Sequence, residues 1–221
     1  MGITTLFLVD FDRVEAANMG TQGWWAPQMK LSKVGAAHDL LRGYPWVKVT
    51  ELDHRFRQED LNQLGSHWGQ TVLFVCVDSM AARREIWAMA KDSWVVWNLL
   101  VDGRMGAEVA TVFSCDSEDE ASCKAYERTL GSEGVDHAPC TMQATIYCGN
   151  VISGLMLCEM AKWIRGHGTT PLGRRWDLLS GCVDRMDSQW DEVPVVPPTE
   201  VGSVTPALPV VNRGSEYPTE V

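Results

Sequence analysis

Two aspartates, Asp10 and Asp12, close a short apolar, β-rich run at residues 4–9, and Lys33 opens the next stretch with helical spacing. At the carboxyl end of a strand in a doubly wound sheet, an acidic side chain meets ribose hydroxyls, because ligands lie across those strand ends. Asp10 fits that place. A lysine at the head of the following helix reaches phosphate oxygens as a point charge, which suits Lys33. A second strand end, Val77-Asp78-Ser79, offers Asp78 as a Mg²⁺ carboxylate on a triphosphate, with Arg83 five residues later. Each residue also has a plain structural reading: Asp10 and Asp12 as turn formers, Asn18 as a helix cap, Lys33 as part of a solvated face, Asp78 as the cap of the next helix. Their order and spacing favour the chemical reading.

The elements that must position these residues follow from periodicity. Residues 4–9 read as a strand, 32–42 as a helix through Val34, Ala37, Leu40 and Leu41, 46–52 as a second strand and 71–77 as a third. The third is almost wholly apolar, as burial on both faces of a parallel sheet demands. A helix over Met80–Lys91, strands at 94–101 and 106–115 and a long helix over 141–164 complete an α/β domain with a mostly parallel, doubly wound sheet over residues 1–192. The long helix is interrupted by Asn150, Ser153, Glu159 and Lys162, so it reads as a buried or dimer-packing helix and not as a membrane span. The stretch 116–124 reads as a solvated acidic loop, since it lacks calcium-loop spacing. From Val193 to Val221 lie six of the ten prolines and four charged side chains without apolar periodicity, which predicts a disordered tail dispensable for folding.

Composition sets the outer bounds. The 221 residues carry 19 Lys+Arg against 29 Asp+Glu, a formal charge of −10, which argues against a broad grip on nucleic acid or an anionic membrane. No signal-peptide pattern and no long uncharged apolar run is present, so a cytoplasmic protein is expected. Seven cysteines without a Cys-x-x-Cys pair disfavour a disulfide framework or a cysteine-rich zinc site. Ten scattered tryptophans read as core and interface mass.

Taken together, these residues resemble the ThiF/MoeB/HesA adenylyltransferases, which share their fold with ubiquitin-activating enzymes. The family pattern Asp-x-Asp-x-Val-x-x-x-Asn-x-x-x-Gln is similar to Asp10, Asp12, Val14, Asn18 and Gln22 without a gap, and the family lysine to Lys33. The family's Thr-Asp-Asn strand end and its arginine resemble Val77-Asp78-Ser79 and Arg83, and the likeness runs on through Asp102-Gly103-Arg104, Gly106-Ala107-Glu108 and Pro139-Cys140-Thr141. The resemblance implies a Rossmann-like fold, a homodimer, and adenylation of the carboxyl terminus of a ubiquitin-like or sulfur-carrier protein with ATP·Mg²⁺. It further implies ribose contact for Asp10, nucleotide contact for Asp12, phosphate contact for Asn18 and Lys33, metal or nucleotide contact for Asp78, and a thiol that accepts the activated carboxylate at Cys140.

Four departures accompany the likeness. The family opens with a strand, a glycine-rich phosphate loop and a helix, whereas Met1-Gly2-Ile3 resembles the Gly-Ile that closes that helix, so the domain is expected to be N-terminally incomplete with strand edges left unpaired. Thr21 stands where the family has an arginine, Lys30 where it usually has a glycine, and the zinc-binding Cys-x-x-Cys pairs of many members are missing. The alternative reading is a non-catalytic scaffold that binds a protein partner without ATP chemistry. A nicotinamide oxidoreductase would use Asp10 similarly but has no use for Asn18, Lys33 and Asp78 together.

Overall fold

Strands β1 (Thr5–Val9) and β2 (Lys48–Leu52) pair in parallel, with Thr5 opposite Lys48 and Val9 opposite Leu52. The computed structural model describes residues 3–64, 69–93, 96–131 and 145–186. A parallel pair requires a crossover connection, and helices α1 (Ala16–Gln22) and α2 (Lys33–Leu40) lie within it. Helix α2 starts at a serine cap: Gly35 N–H donates to Ser32 Oγ at 3.1 Å. After helix α3 (Gln58–Leu64), strand β3 (Val72–Val75), helix α4 (Met80–Lys91) and strand β4 (Leu99–Gly106) make a second parallel crossover.

Beyond β4 the pairing direction changes. Strand β5 (Val109–Asp116) returns antiparallel to β4 through a tight turn at Ala107 and Glu108, and β6 (Arg174–Asp177) and β7 (Cys182–Arg185) continue antiparallel. The larger sheet has the order β3-β4-β5-β6-β7. The α/β class is as expected, and its parallel part is confined to β1–β2 and β3–β4. A two-residue connection leaves β5 no route back except antiparallel.

Two further differences have local causes. Helix α5 (Glu120–Gly131) takes up part of the stretch expected to be an acidic loop, because Asp119 Oδ1 accepts the N–H groups of Ala121 and Ser122 at 3.0 and 3.1 Å and so caps a helix. The strand expected from residue 94 begins at Leu99, since Trp97 turns into the core and its Nε1–H donates to Ala90 O at 2.9 Å. Helix α6 (Ile146–Ile164) falls inside the expected long helix, while Cys140 and the 193–221 segment lie outside the described residues.

Successive β4 residues face opposite sides of the sheet, as a pleat dictates. Leu100 joins Trp87, Trp97, Phe113, Cys115, Cys123 and Tyr126 under α4 and α5. Leu99 and Val101 join Ala110, Val112, Cys148, Ile152 and Met156 under α6. Gly103 is a close-approach glycine: a Cβ there would collide with Met156 Sδ. The smaller β1–β2 sheet is less covered, for all five β1 residues are only half-buried although their sequence is almost wholly apolar. Among the described residues β1 pairs only with β2 and β3 only with β4, so each keeps one open edge.

Candidate functional site

The carboxyl end of β1 is shaped by a short antiparallel contact that folds residues 12–14 onto 30–33. Val14 N–H donates to Leu31 O, Lys30 N–H to Val14 O and Lys33 N–H to Asp12 O, each at 2.9 Å. Val14, 1% exposed, anchors this contact in the interior. The fold thereby sets the first residue of α2 over Asp12, and Lys33 Nζ meets Asp12 Oδ2 at 2.9 Å. Asp12 N–H in turn donates to Asp10 Oδ1 at 2.8 Å. Three of the residues singled out from the sequence, Asp10, Asp12 and Lys33, are thus one hydrogen-bonded array. Lys33 is only 13% exposed, so it belongs to this array and not to a solvated face.

Asn18 and Gln22 are engaged locally instead. Glu15 N–H donates to Asn18 Oδ1 at 3.1 Å at the start of α1, and Trp24 Nε1–H donates to Gln22 Oε1 at 3.0 Å. Asp78 is exposed at the end of β3, and no hydrogen bond or ion pair among the described residues joins it to Asp10, Asp12 or Lys33. The cap of α4 is Ser79, whose Oγ accepts Ala82 N–H at 3.1 Å, so Asp78 is left free of the capping role.

Arg83 is bonded to β4 beside the end of β3, where Asp102 stands opposite Val75. Its Nε donates to Asp102 Oδ1 at 2.9 Å and its Nη2 to Gly103 O at 3.0 Å. Arg104 Nε and the Tyr126 hydroxyl donate to Asp102 Oδ2 at 2.7 and 3.1 Å. Burial, reinforced by the Asp102 charge, holds the Tyr126 hydroxyl well above the ordinary tyrosine range. Arg83, Asp102 and Arg104, all within the matched stretches, therefore bind α4, β4 and α5 together.

Further polar side chains ring the ends of β1 and β2. Arg13 pairs with Asp53 at 2.9 Å, Arg55 lies 4.5 Å above the Phe11 ring, and His54 Nε2 stands 3.6 Å from buried Asp60. Their one sequence signal was position just after a predicted strand. Lys30 adopts φ +68°, a left-handed conformation that glycine takes without steric cost.

These residues fit one end of a nucleotide. Asp10 keeps Oδ2 for an incoming hydroxyl, and Lys33 offers one ammonium to a phosphate if Asp12 releases it. No glycine-rich loop of backbone N–H groups stands at those strand ends among the described residues, and no group of three or more His, Cys, Asp or Glu is placed to hold a metal by itself. Asp78 alone suits a Mg²⁺ that takes its other ligands from phosphate and water.

Comparison with known proteins places the chain in context. A sequence model of the ThiF family matches residues 1–195. The ubiquitin-like modifier-activating enzyme 5 of Xenopus laevis is 28% identical over 190 residues, covering 76% of this chain and 46% of that protein. Its Gallus gallus counterpart is 29% identical over 195 residues, with 76% and 46% covered. The chain thus spans less than half the length of these relatives. Among solved structures, PaaA superposes with a TM-score of 0.56 at 17% identity, covering 81% of this chain and 63% of that one. E. coli MccB solved with ATP gives 0.56 at 14% identity, covering 83% and 56%. At these identities the structures speak to fold. No helix among the described residues is long and apolar enough to cross a membrane.

Proposed function

The chain belongs to the ThiF family, and from that premise we propose that it is an ATP-dependent adenylyltransferase-type protein that activates the carboxyl terminus of a ubiquitin-like or sulfur-carrier protein. The observation that carries this reading is the Asp10–Asp12–Lys33 array at the carboxyl end of β1, built from residues 21 apart in sequence. Bound ATP·Mg²⁺ would supply the adenylyl group. Asp10 accepts hydrogen bonds from ribose hydroxyls, and Asp12 holds the Lys33 ammonium in place until phosphate oxygens compete for it. Asn18 would serve the phosphates, Asp78 would hold the metal, and Cys140 would receive the activated carboxylate. Pairing with a second copy fits exposed Ile146, Tyr147, Val151, Leu157 and Ile164 along α6.

A second reading, the non-catalytic scaffold, is favoured by one specific observation. The phosphate-facing groups are already engaged within the chain, Lys33 by Asp12 and Asn18 by Glu15 N–H, and the strand edges that would flank a phosphate loop are open. Residues 3–186 alone should therefore bind ATP·Mg²⁺ weakly or not at all, since a glycine loop at a helix N-terminus supplies most of a phosphate cradle. The deciding experiment is carrier-dependent ATP–pyrophosphate exchange by the chain carrying a glycine-rich strand–loop–helix unit from a relative at its N-terminus. Lys33→Ala and Asp78→Asn should each lower exchange by roughly 100-fold, the scale of losing a group that stabilises transition-state charge. Asp53→Asn, whose side chain pairs with Arg13 and lies outside the matched motif, should leave it unchanged. If no carrier supports exchange, or all three variants behave alike, the scaffold reading replaces the catalytic one.

A further inference from the structure

Cys115 ends the buried run of β5, and Cys123 lies in the first turn of α5, eight residues later. Both belong to the same core cluster with Trp87, Phe113 and Tyr126, 0% and 3% exposed. Cys123 Sγ–H donates to Asp116 O at 3.1 Å, the carbonyl of the residue after Cys115, which brings the Cys123 thiol to the end of β5 where the Cys115 side chain enters the same core cluster. Both sulfurs are free. We propose that Cys115 and Cys123 are a peroxide-oxidisable pair that closes to an intramolecular disulfide, fastening the first turn of α5 to the end of β5.

The chemistry balances with a hydroperoxide as the oxidant. Cys123 reacts as the thiolate: its sulfur attacks one peroxide oxygen, the O–O bond breaks, and hydroxide leaves to take up the thiol proton as water. The product is Cys123 sulfenic acid. Cys115 sulfur then attacks Cys123 sulfur, the S–O bond breaks, and the departing hydroxide takes the Cys115 proton as a second water. Two thiols have lost two electrons and two protons, and one peroxide has become two waters.

The division of roles follows from position: Cys123 stands in the first turn of a helix, where the N–H groups favour a thiolate, and Cys115 lies deeper at the end of β5. The influence of the Cys115 thiol lowers Cys123 below its ordinary value, while Cys123 and burial push Cys115 above it, so Cys123 ionises first and Cys115 resolves. Asp119, Glu120 and Ala121 beside Cys123 are exposed, and opening of a helix's first turn admits a small oxidant that the folded core excludes. The function proposed above plays no part in this inference.

The full chain treated with hydrogen peroxide, alkylated under denaturing conditions and digested with trypsin gives a direct reading. No lysine or arginine lies between Arg104 and Lys124, so residues 105–124 form one peptide holding these two cysteines and no other. Expected is a peptide lighter by two hydrogens that resists alkylation until a dithiol reductant is added, together with a higher unfolding temperature for the oxidised protein. In Cys115→Ser, which lacks the resolving thiol, a dimedone adduct should accumulate on Cys123. Two alkylatable thiols in the peroxide-treated native chain, or oxygen added to Cys123 with no loss of hydrogen, overturns the proposal even if Cys115→Ser does not fold.

Discussion

Replacing Asp102 by asparagine tests whether the matched Asp102-Gly103-Arg104 stretch serves the core. Asp102 is 0% exposed and accepts from three donors, and Arg83, one of its two cationic partners, is 5% exposed. Asparagine keeps the shape but removes the charge, and sets an amide N–H₂ against an arginine or a tyrosine donor. Stranding a buried charge in this way costs about 3–5 kcal/mol. In a domain of this size each kcal/mol lowers the unfolding temperature by roughly 2–4 °C, so a fall of about 6–20 °C is expected. Arg104, 15% exposed, can turn toward solvent and limit the loss. Urea unfolding followed by tryptophan fluorescence gives the free energy, with an unchanged m-value showing that the denatured state is the same. Adding Arg83→Met to Asp102→Asn should then cost less than Arg83→Met costs by itself, because the stranded charge is gone. A loss under about 1 kcal/mol for Asp102→Asn, or strictly additive variants, would refute the reasoning.

Lys30→Gly should raise stability by up to about 1 kcal/mol in the same urea assay, since Lys30 sits at φ +68° and glycine removes the left-handed penalty. A loss of that size instead would show that the lysine side chain holds the 12–14/30–33 contact together. Tyr126 fixes a pH dependence: its folded pKa is raised by burial and by Asp102, so the neutral hydroxyl's contribution is fully present below the unfolded tyrosine value of about 10 and is lost as pH climbs through the folded one. Stability should fall above that pH, and Tyr126→Phe, less stable at neutral pH for want of the bond to Asp102, should show a shallower alkaline fall; equal slopes would reject the assignment.

The parts of the fold that were legible in the sequence are those fixed by local rules. Helices α2 and α4 were read from apolar spacing to within a residue of where they start, and the nearly unbroken apolar character of β3 marked a parallel strand; the cap of α4 was read one residue early, at Asp78, where the Ser79 hydroxyl serves. What was not legible depends on pairing at a distance. The direction of β5 and the β6–β7 hairpin depend on which strand is adjacent, and periodicity is the same either way. Asp119 was read among its acidic neighbours as solvated charge, although as an N-cap it starts α5.

The same distinction divides the site. Asp10, Asp12 and Lys33 were chosen for the ends of elements they occupy, and strand ends and helix starts are positions that a sequence reveals. Their contact required something further: the fold of 12–14 onto 30–33, held by Val14 inside and by Lys30 in a conformation lysine seldom adopts. That contact also neutralises Lys33 with Asp12 before any phosphate arrives. A ligand that recruits Lys33 must therefore displace a carboxylate at 2.9 Å, at a location only 13% exposed on the lysine side, and a phosphate does so only if other donors share its charge. On the catalytic reading, backbone N–H groups of a strand and loop added at the open edge of β1 would do that. Catalysis and scaffolding thus differ less in the residues of β1 and α2 than in what completes the sheet beside them.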